Sequence, residues 1–204
     1  MAKICYNRFF PNLKRVCQKT PSHCGPAVLE MLLSHCGIAV DQEEFVKAAG
    51  VAKKIKERGM TVDELALAVK KLVSGFQFWF KRYATISELA KITRSYHYPV
   101  GVEWQGIFEF KHDDEDDDED PGHYSVVTYI NTKDNLIMLA DPYRDYAFKD
   151  RQFTILEFER RWWDINEIID PRTKKHRQVD DYHLMFVVTP QSAAFPRVLG
   201  MKKG

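Results

Sequence analysis

Hydrophobic residues change their spacing partway along this chain. In Cys24-Gly25-Pro26-Ala27-Val28-Leu29-Glu30-Met31-Leu32-Leu33-Ser34-His35, the residues Val28, Leu29, Leu32 and Leu33 recur at the interval that places them on one face of a helix. Pro26 falls in the first turn, where its missing N–H costs nothing, and Gly37 stops the run. Two more helices are predicted from their caps: Asp41–Ala49, with Asp41 and Glu44 as a capping box, and Thr61–Leu72, with Thr61 and Glu64 in the same roles. Ser87–Arg94 reads as a fourth, capped by Ser87.

After Pro99 the pattern shortens into branched and aromatic runs: Val100–Trp104, His123–Ile130, Leu136–Ala140 and Tyr182–Val188. These predict strands of an antiparallel sheet. Phe153, Leu156, Phe158 and Trp162 suit one short amphipathic helix over 153–163, and the residues after Pro190 read as a loose tail. The expected fold class is α+β, a helical N-terminal half followed by a C-terminal antiparallel sheet. A single domain is expected over 1–190, with a flexible tail over 191–204.

Composition changes the picture only by exclusion. With 204 residues and 45% hydrophobic content the chain can close one sizeable core. A formal net charge of +1 gives no reason to expect nucleic acid or an anionic membrane as partner. The sequence holds no apolar run long enough for a signal segment or a membrane span, so a cytoplasmic location is expected. Cys5, Cys17, Cys24 and Cys36 are too few and too clustered to frame a secreted scaffold and read as reduced thiols. Cys17, His23, Cys24, His35 and Cys36 lie close in sequence but lack zinc-ligand spacing, and neither metal nor cofactor is expected.

The chemistry centres on Cys24. A cysteine nucleophile reacts as thiolate, and the N-terminus of a helix favours that charge through its unsatisfied N–H groups and dipole. A backbone N–H at the same helix start can donate to an oxyanion, and Gln18, six residues upstream, can supply the second donor. Of the seven histidines, His123 opens a strand and is the expected general base. If the hairpin turn centres near Thr132, His123 stands opposite Asp141, which would fix its tautomer. His23 neighbours Cys24, but adjacent residues at a helix start point apart, so it is expected to line the cleft.

The stretch Gln18-Lys19-Thr20-Pro21-Ser22-His23-Cys24-Gly25-Pro26-Ala27, with His123-Tyr124 and Asp141-Pro142, resembles the double-glycine leader peptidases that process bacteriocin precursors. The resemblance runs from about Lys14 to Trp163 and takes in Tyr98-Pro99-Val100 and Glu157–Trp163. It implies a papain-like cysteine peptidase with Cys24 as nucleophile, His123 as base, Asp141 as its orienting acid and Gln18 in the oxyanion hole, the site lying in the cleft between helices and sheet. Leader peptidases are commonly fused to a transporter, and this sequence carries no membrane helices or ATPase, so export-coupled cleavage is not implied.

The expected reaction is hydrolysis of a peptide or isopeptide bond in a peptide or protein substrate, through a thioester acyl-enzyme. Two alternatives keep the same cleft: acyl transfer to an amine, and a peptide-binding module without catalysis. Trp104, Tyr143 and Trp162 are expected on loops near the site, lining its subsites. The eight consecutive acidic residues Asp113–Asp120 read as a solvated loop, with selection of basic peptides as the competing reading.

Overall fold

The computed structural model describes residues 10–106, 122–169, 173 and 175–204. The acidic run Asp113–Asp120 and Cys5 lie outside the described residues.

Helix α1 (Cys24–His35) forms where its apolar spacing placed it. In α2 (Gln42–Ala49) the Asp41 carboxylate accepts from the Glu43 N–H, and Glu44 closes the capping box. In α4 (Val62–Leu72), Thr61 and Glu64 do the same, after a single turn α3 (Ile55–Arg58). Helix α5 (Ile86–Ser95) starts earlier than expected, and its cap is Thr85 rather than Ser87. Glu88 is the reason: three residues after Thr85, its carboxylate accepts from the Thr85 N–H while Thr85 Oγ1 accepts from the Glu88 N–H.

The strands are β1 (Phe76–Lys81), β2 (Val100–Gln105), β3 (Gly122–Asn131), β4 (Leu136–Ala140), β5 (Asp150–Thr154), β6 (Ile165–Ile169), β7 (His176–Asp180), β8 (Met185–Pro190) and β9 (Lys202–Lys203). Two short helices, α6 (Ile155–Arg161) and α7 (Phe195–Val198), complete the order. β6 and β7 form a separate hairpin, and the main sheet runs β5-β4-β3-β2-β8-β1-β9. All its pairs are antiparallel.

Several boundaries move for local reasons. The strand expected from Tyr182 begins at Met185, because His183 holds a left-handed backbone (φ 49°) that interrupts the extended run. The helix expected over 153–163 gives Phe153 and Thr154 to β5, and Thr154 with Glu157 forms the capping box of α6.

Helices cover both faces of the sheet. On one face α1, α2 and α4 bury Val28, Leu29, Leu33, Phe45 and Leu65 against Phe78, Val126 and Phe186. On the other, α5, α6 and α7 bury Leu89, Ile92, Phe158 and Phe195 against Trp79, Val102 and Val187. Gly101 in β2 is required by the packing, since a Cβ there would lie 2.3 Å from the Phe186 ring. The segment after Pro190 is no loose tail. Phe195, Leu199 and Met201 are buried in the second core, and β9 pairs with β1. Three apolar side chains at matched spacing anchor it, a signal too short to weigh without the surface that receives it.

Candidate active site

The site is built where the start of α1 meets the β3–β4 hairpin. The first bond of the helix ladder runs from the Ala27 N–H to the His23 carbonyl at 3.0 Å, so the N–H groups of Cys24 and Gly25 precede the ladder. Cys24, the first helical residue, thus sits at the positive end of the helix dipole. Gly25 lets this turn sit tightly on its neighbours. A Cβ there would meet Leu65 Cδ2 at 3.1 Å and Tyr124 Cδ2 at 3.3 Å.

His123 is the second residue of β3 and is buried. Its Nε2 donates to Asp141 Oδ1 at 2.7 Å, and its side chain interacts electrostatically with that of Cys24. The hairpin register is not the one expected. The ladder pairs Asn131 with Leu136 and, after a bulge at Thr128, ends at Val126 with Ala140. Asp141 therefore follows the last pair rather than standing opposite His123, and the two side chains meet beyond the end of the ladder.

Asp141 has its partners on both oxygens. Oδ1 also accepts from the Tyr143 N–H at 2.9 Å, and Oδ2 accepts from Arg151 Nη1 at 2.7 Å. Burial works against ionisation of this carboxyl, but the charge of His123 and these hydrogen bonds outweigh it and hold its pKa below the ordinary carboxylate value. Burial likewise disfavours the imidazolium of His123. The charge and hydrogen bond of Asp141, with the charge of Cys24, overcome it and raise His123 to about 10.

Gln18 reaches the same corner by its backbone, its N–H donating to the Pro142 carbonyl at 2.8 Å. Its side chain is differently engaged from the expected geometry. Nε2 donates to the carbonyls of Thr20 (3.0 Å) and Pro21 (2.9 Å), while Oε1 is buried with no hydrogen-bond partner among the described residues. Both amide hydrogens thus serve the loop that leads into α1. A depression of about 370 Å³ opens beside it, lined by Gln18, Lys19, Thr20, Pro21, Tyr143 and Arg144.

Other expectations for the cleft need correction. Trp104 and Trp162 are fully buried in the core, where their indole N–H groups donate to Ser125 Oγ and the Leu184 carbonyl; of the three aromatics named from sequence, only Tyr143 lines the depression. His23 is buried too, hydrogen-bonded through Nδ1 to Thr20 Oγ1 at 2.5 Å with Nε2 3.3 Å from Glu43 Oε1, and shapes the turn before α1. Cys17, Cys24 and Cys36 are free thiols, and burial pushes Cys36 up to about 11.

Strand β5, absent from the sequence reading, contributes two residues. Arg151 ties Asp141, and Asp150 accepts from Arg15 Nε at 2.8 Å and Nη2 at 2.9 Å. β5 is polar and lies at the sheet edge, so it lacks the apolar alternation that marks a strand; the alternation of Asp150 and Arg151 to opposite faces was its only trace.

The model of the Peptidase_C39 like family matches residues 10–168. Among solved structures, the chain is similar to the peptidase domain of Streptococcus ComA, a bi-functional ABC transporter involved in a quorum sensing pathway, with TM-score 0.56 and 21% identity over 88% of this chain and 99% of that one. It is also similar to a double glycine motif protease from an AMS/PCAT transporter in complex with the leader peptide, with TM-score 0.54 and 16% identity over 87% of this chain and 91% of that one. No curated protein matches the chain. At these identities the two structures establish the shared fold, a papain-like arrangement of helices on an antiparallel sheet. Among the described residues no helix is long and apolar enough to cross a membrane.

Proposed function

Since this chain belongs to the Peptidase_C39 like family and is in general terms a cysteine peptidase, we propose that it hydrolyses a peptide or isopeptide bond through a thioester formed on Cys24. The observation that carries this reading is the position of His123, which interacts electrostatically with Cys24 and donates a hydrogen bond to the ionised Asp141. An imidazolium held to about 10 keeps a positive charge on His123 across the neutral range.

The Cys24 thiolate attacks the substrate carbonyl and a tetrahedral oxyanion forms. The Cys24 N–H at the start of α1 is placed to donate to it, and Gln18 Nε2 supplies the second donor by releasing the Thr20 or Pro21 carbonyl. His123 then gives its proton to the leaving amine, which departs as the thioester forms. In the second half His123 takes a proton from water, hydroxide adds to the thioester carbonyl, and Cys24 leaves with the acid product released. Asp141 keeps the imidazole ring oriented in both halves. The substrate is a peptide or protein; the two related peptidases belong to transporters, and one of them is described with a leader peptide bound. The reaction is expected to take place in the cytoplasm.

The test is incubation of the purified protein with a diverse peptide mixture, with Cys24→Ser as control, and product masses read by mass spectrometry. New fragments carrying one added water, absent with Cys24→Ser, support hydrolysis. Products bearing an added amine in place of water identify acyl transfer, and no turnover with any peptide identifies a binding module.

A further inference from the structure

We propose that Arg151 is a positioning residue for this site, acting on the chemistry only through Asp141. The inference rests on the catalytic reading of Cys24, His123 and Asp141 given above. Arg151 Nη1 donates to Asp141 Oδ2 at 2.7 Å, the oxygen that His123 does not use. The Arg151 side chain is 12% exposed, so the pair is shielded from the solvent that weakens surface ion pairs.

The guanidinium is itself fixed. Its carbon lies 3.7 Å from the ring centroid of Tyr146 and 5.0 Å from that of Phe153, with the buried Trp104 at 5.8 Å. Stacking on aromatic faces suits a planar, always-charged group and would suit an ammonium less well. Its backbone is set by β5, where Arg151 pairs with Leu139 of β4, two residues before Asp141. The neighbouring Asp150 is locked in turn by Arg15 and by Thr128 Oγ1, which donates to it at 2.8 Å.

A carboxylate free on Oδ2 can rotate about its last bond and swing Oδ1 away from the imidazole. With Oδ2 held by Arg151 and Oδ1 by the Tyr143 N–H, only one orientation satisfies all three donors. Arg151 also adds charge-assisted stabilisation to the ionised form of Asp141, which burial opposes. Loss of Arg151 therefore both loosens the orientation of His123 and makes Asp141 easier to protonate.

The test needs no known substrate: the second-order rate of Cys24 alkylation by iodoacetamide, followed by mass spectrometry across pH, in the native protein, Arg151→Met, Arg151→Lys, Asp141→Asn and the double variant Arg151→Met with Asp141→Asn. Arg151→Met is expected to slow alkylation at about pH 6 roughly tenfold and to move the acid limb of the profile up by about one unit. Arg151→Lys should restore part of the rate. On the Asp141→Asn background, Arg151→Met should cause no further loss, which a merely structural role would not produce. A rate and limb unchanged in Arg151→Met, or a loss of equal size with Asp141 already replaced, overturns the proposal. Should Arg151→Met fail to fold by circular dichroism, Arg151→Lys carries the comparison: with the stacked fork lost, its acid limb should still move up, and an unmoved limb overturns the proposal. If His123→Ala leaves Cys24 alkylation unaffected, the catalytic reading itself fails; if that dependence holds while Arg151 is inert, only this inference fails.

Discussion

Arg15 and Asp150 form a two-pronged ion pair, at 2.8 and 2.9 Å, between residues 135 positions apart. Arg15 lies on the segment that leads to Gln18 and Cys24, and Asp150 lies on β5 beside Arg151. The pair therefore joins the stretch carrying the nucleophile to the edge of the sheet that supports Asp141. Both side chains are buried, Asp150 to 1% exposure and Arg15 to 9%. Removing Asp150 breaks both charge-assisted hydrogen bonds of this buried pair, so Asp150→Ala is expected to destabilise the protein by about 3 kcal/mol or more, measured by urea denaturation. A loss below about 1 kcal/mol would show that the pair is solvated in solution.

His123 makes stability depend on pH in a definite direction. Its folded pKa is raised, from 6.5 to about 10, so the stabilisation it brings is complete below about 6.5 and is lost as pH rises toward about 10. Asp141 acts at the other end: its folded pKa is lowered, and its contribution is lost as pH falls through that value. The urea midpoint of the native protein should fall between about pH 6.5 and 10 by more than that of His123→Gln. Parallel curves would mean that His123 is not held charged.

The cap of α5 is Thr85 where the sequence pattern suggests Ser87. Thr85→Ala removes the acceptor for the Glu88 N–H and should cost about 1 kcal/mol, whereas Ser87→Ala should be close to neutral. Thermal melts of the two variants decide it, and the reverse order would contradict the placement of this helix.

The C-terminal segment should behave as core. Phe195 stacks on Tyr96 with ring centroids 4.4 Å apart and is 8% exposed. Phe195→Ala is expected to cost about 3 kcal/mol in chemical denaturation. A neutral effect would return the segment to the status of a tail.

These contrasts show which parts of the structure were legible in the chain. α1, α2 and α4 were, because their apolar stripes and capping boxes are written within a few residues of one another. The meeting of His123 with Asp141 was also legible, since a hairpin brings its two ends together whatever its exact register; the bulge at Thr128 was not, because nothing local marks it. β1 pairs with β8, more than a hundred residues away, and its Phe76-Gln77-Phe78-Trp79-Phe80 run had no neighbour in sequence to pair with. At the site, Cys24, His123 and Asp141 come together. The engagement of Gln18 Nε2 with Thr20 and Pro21 could not be read, since it depends on how the loop folds back on the side chain.

The pairing of Cys24 with His123 is tested most directly by treating the native protein with a limiting amount of iodoacetamide at about pH 6 and locating the label by mass spectrometry. An ordinary thiol, with a pKa near about 8.5, is almost wholly protonated there and reacts slowly. Rapid labelling confined to Cys24, and lost in His123→Ala, is the expected result. Slow labelling spread over the cysteines, or labelling of Cys24 that persists undiminished without His123, would contradict the pair.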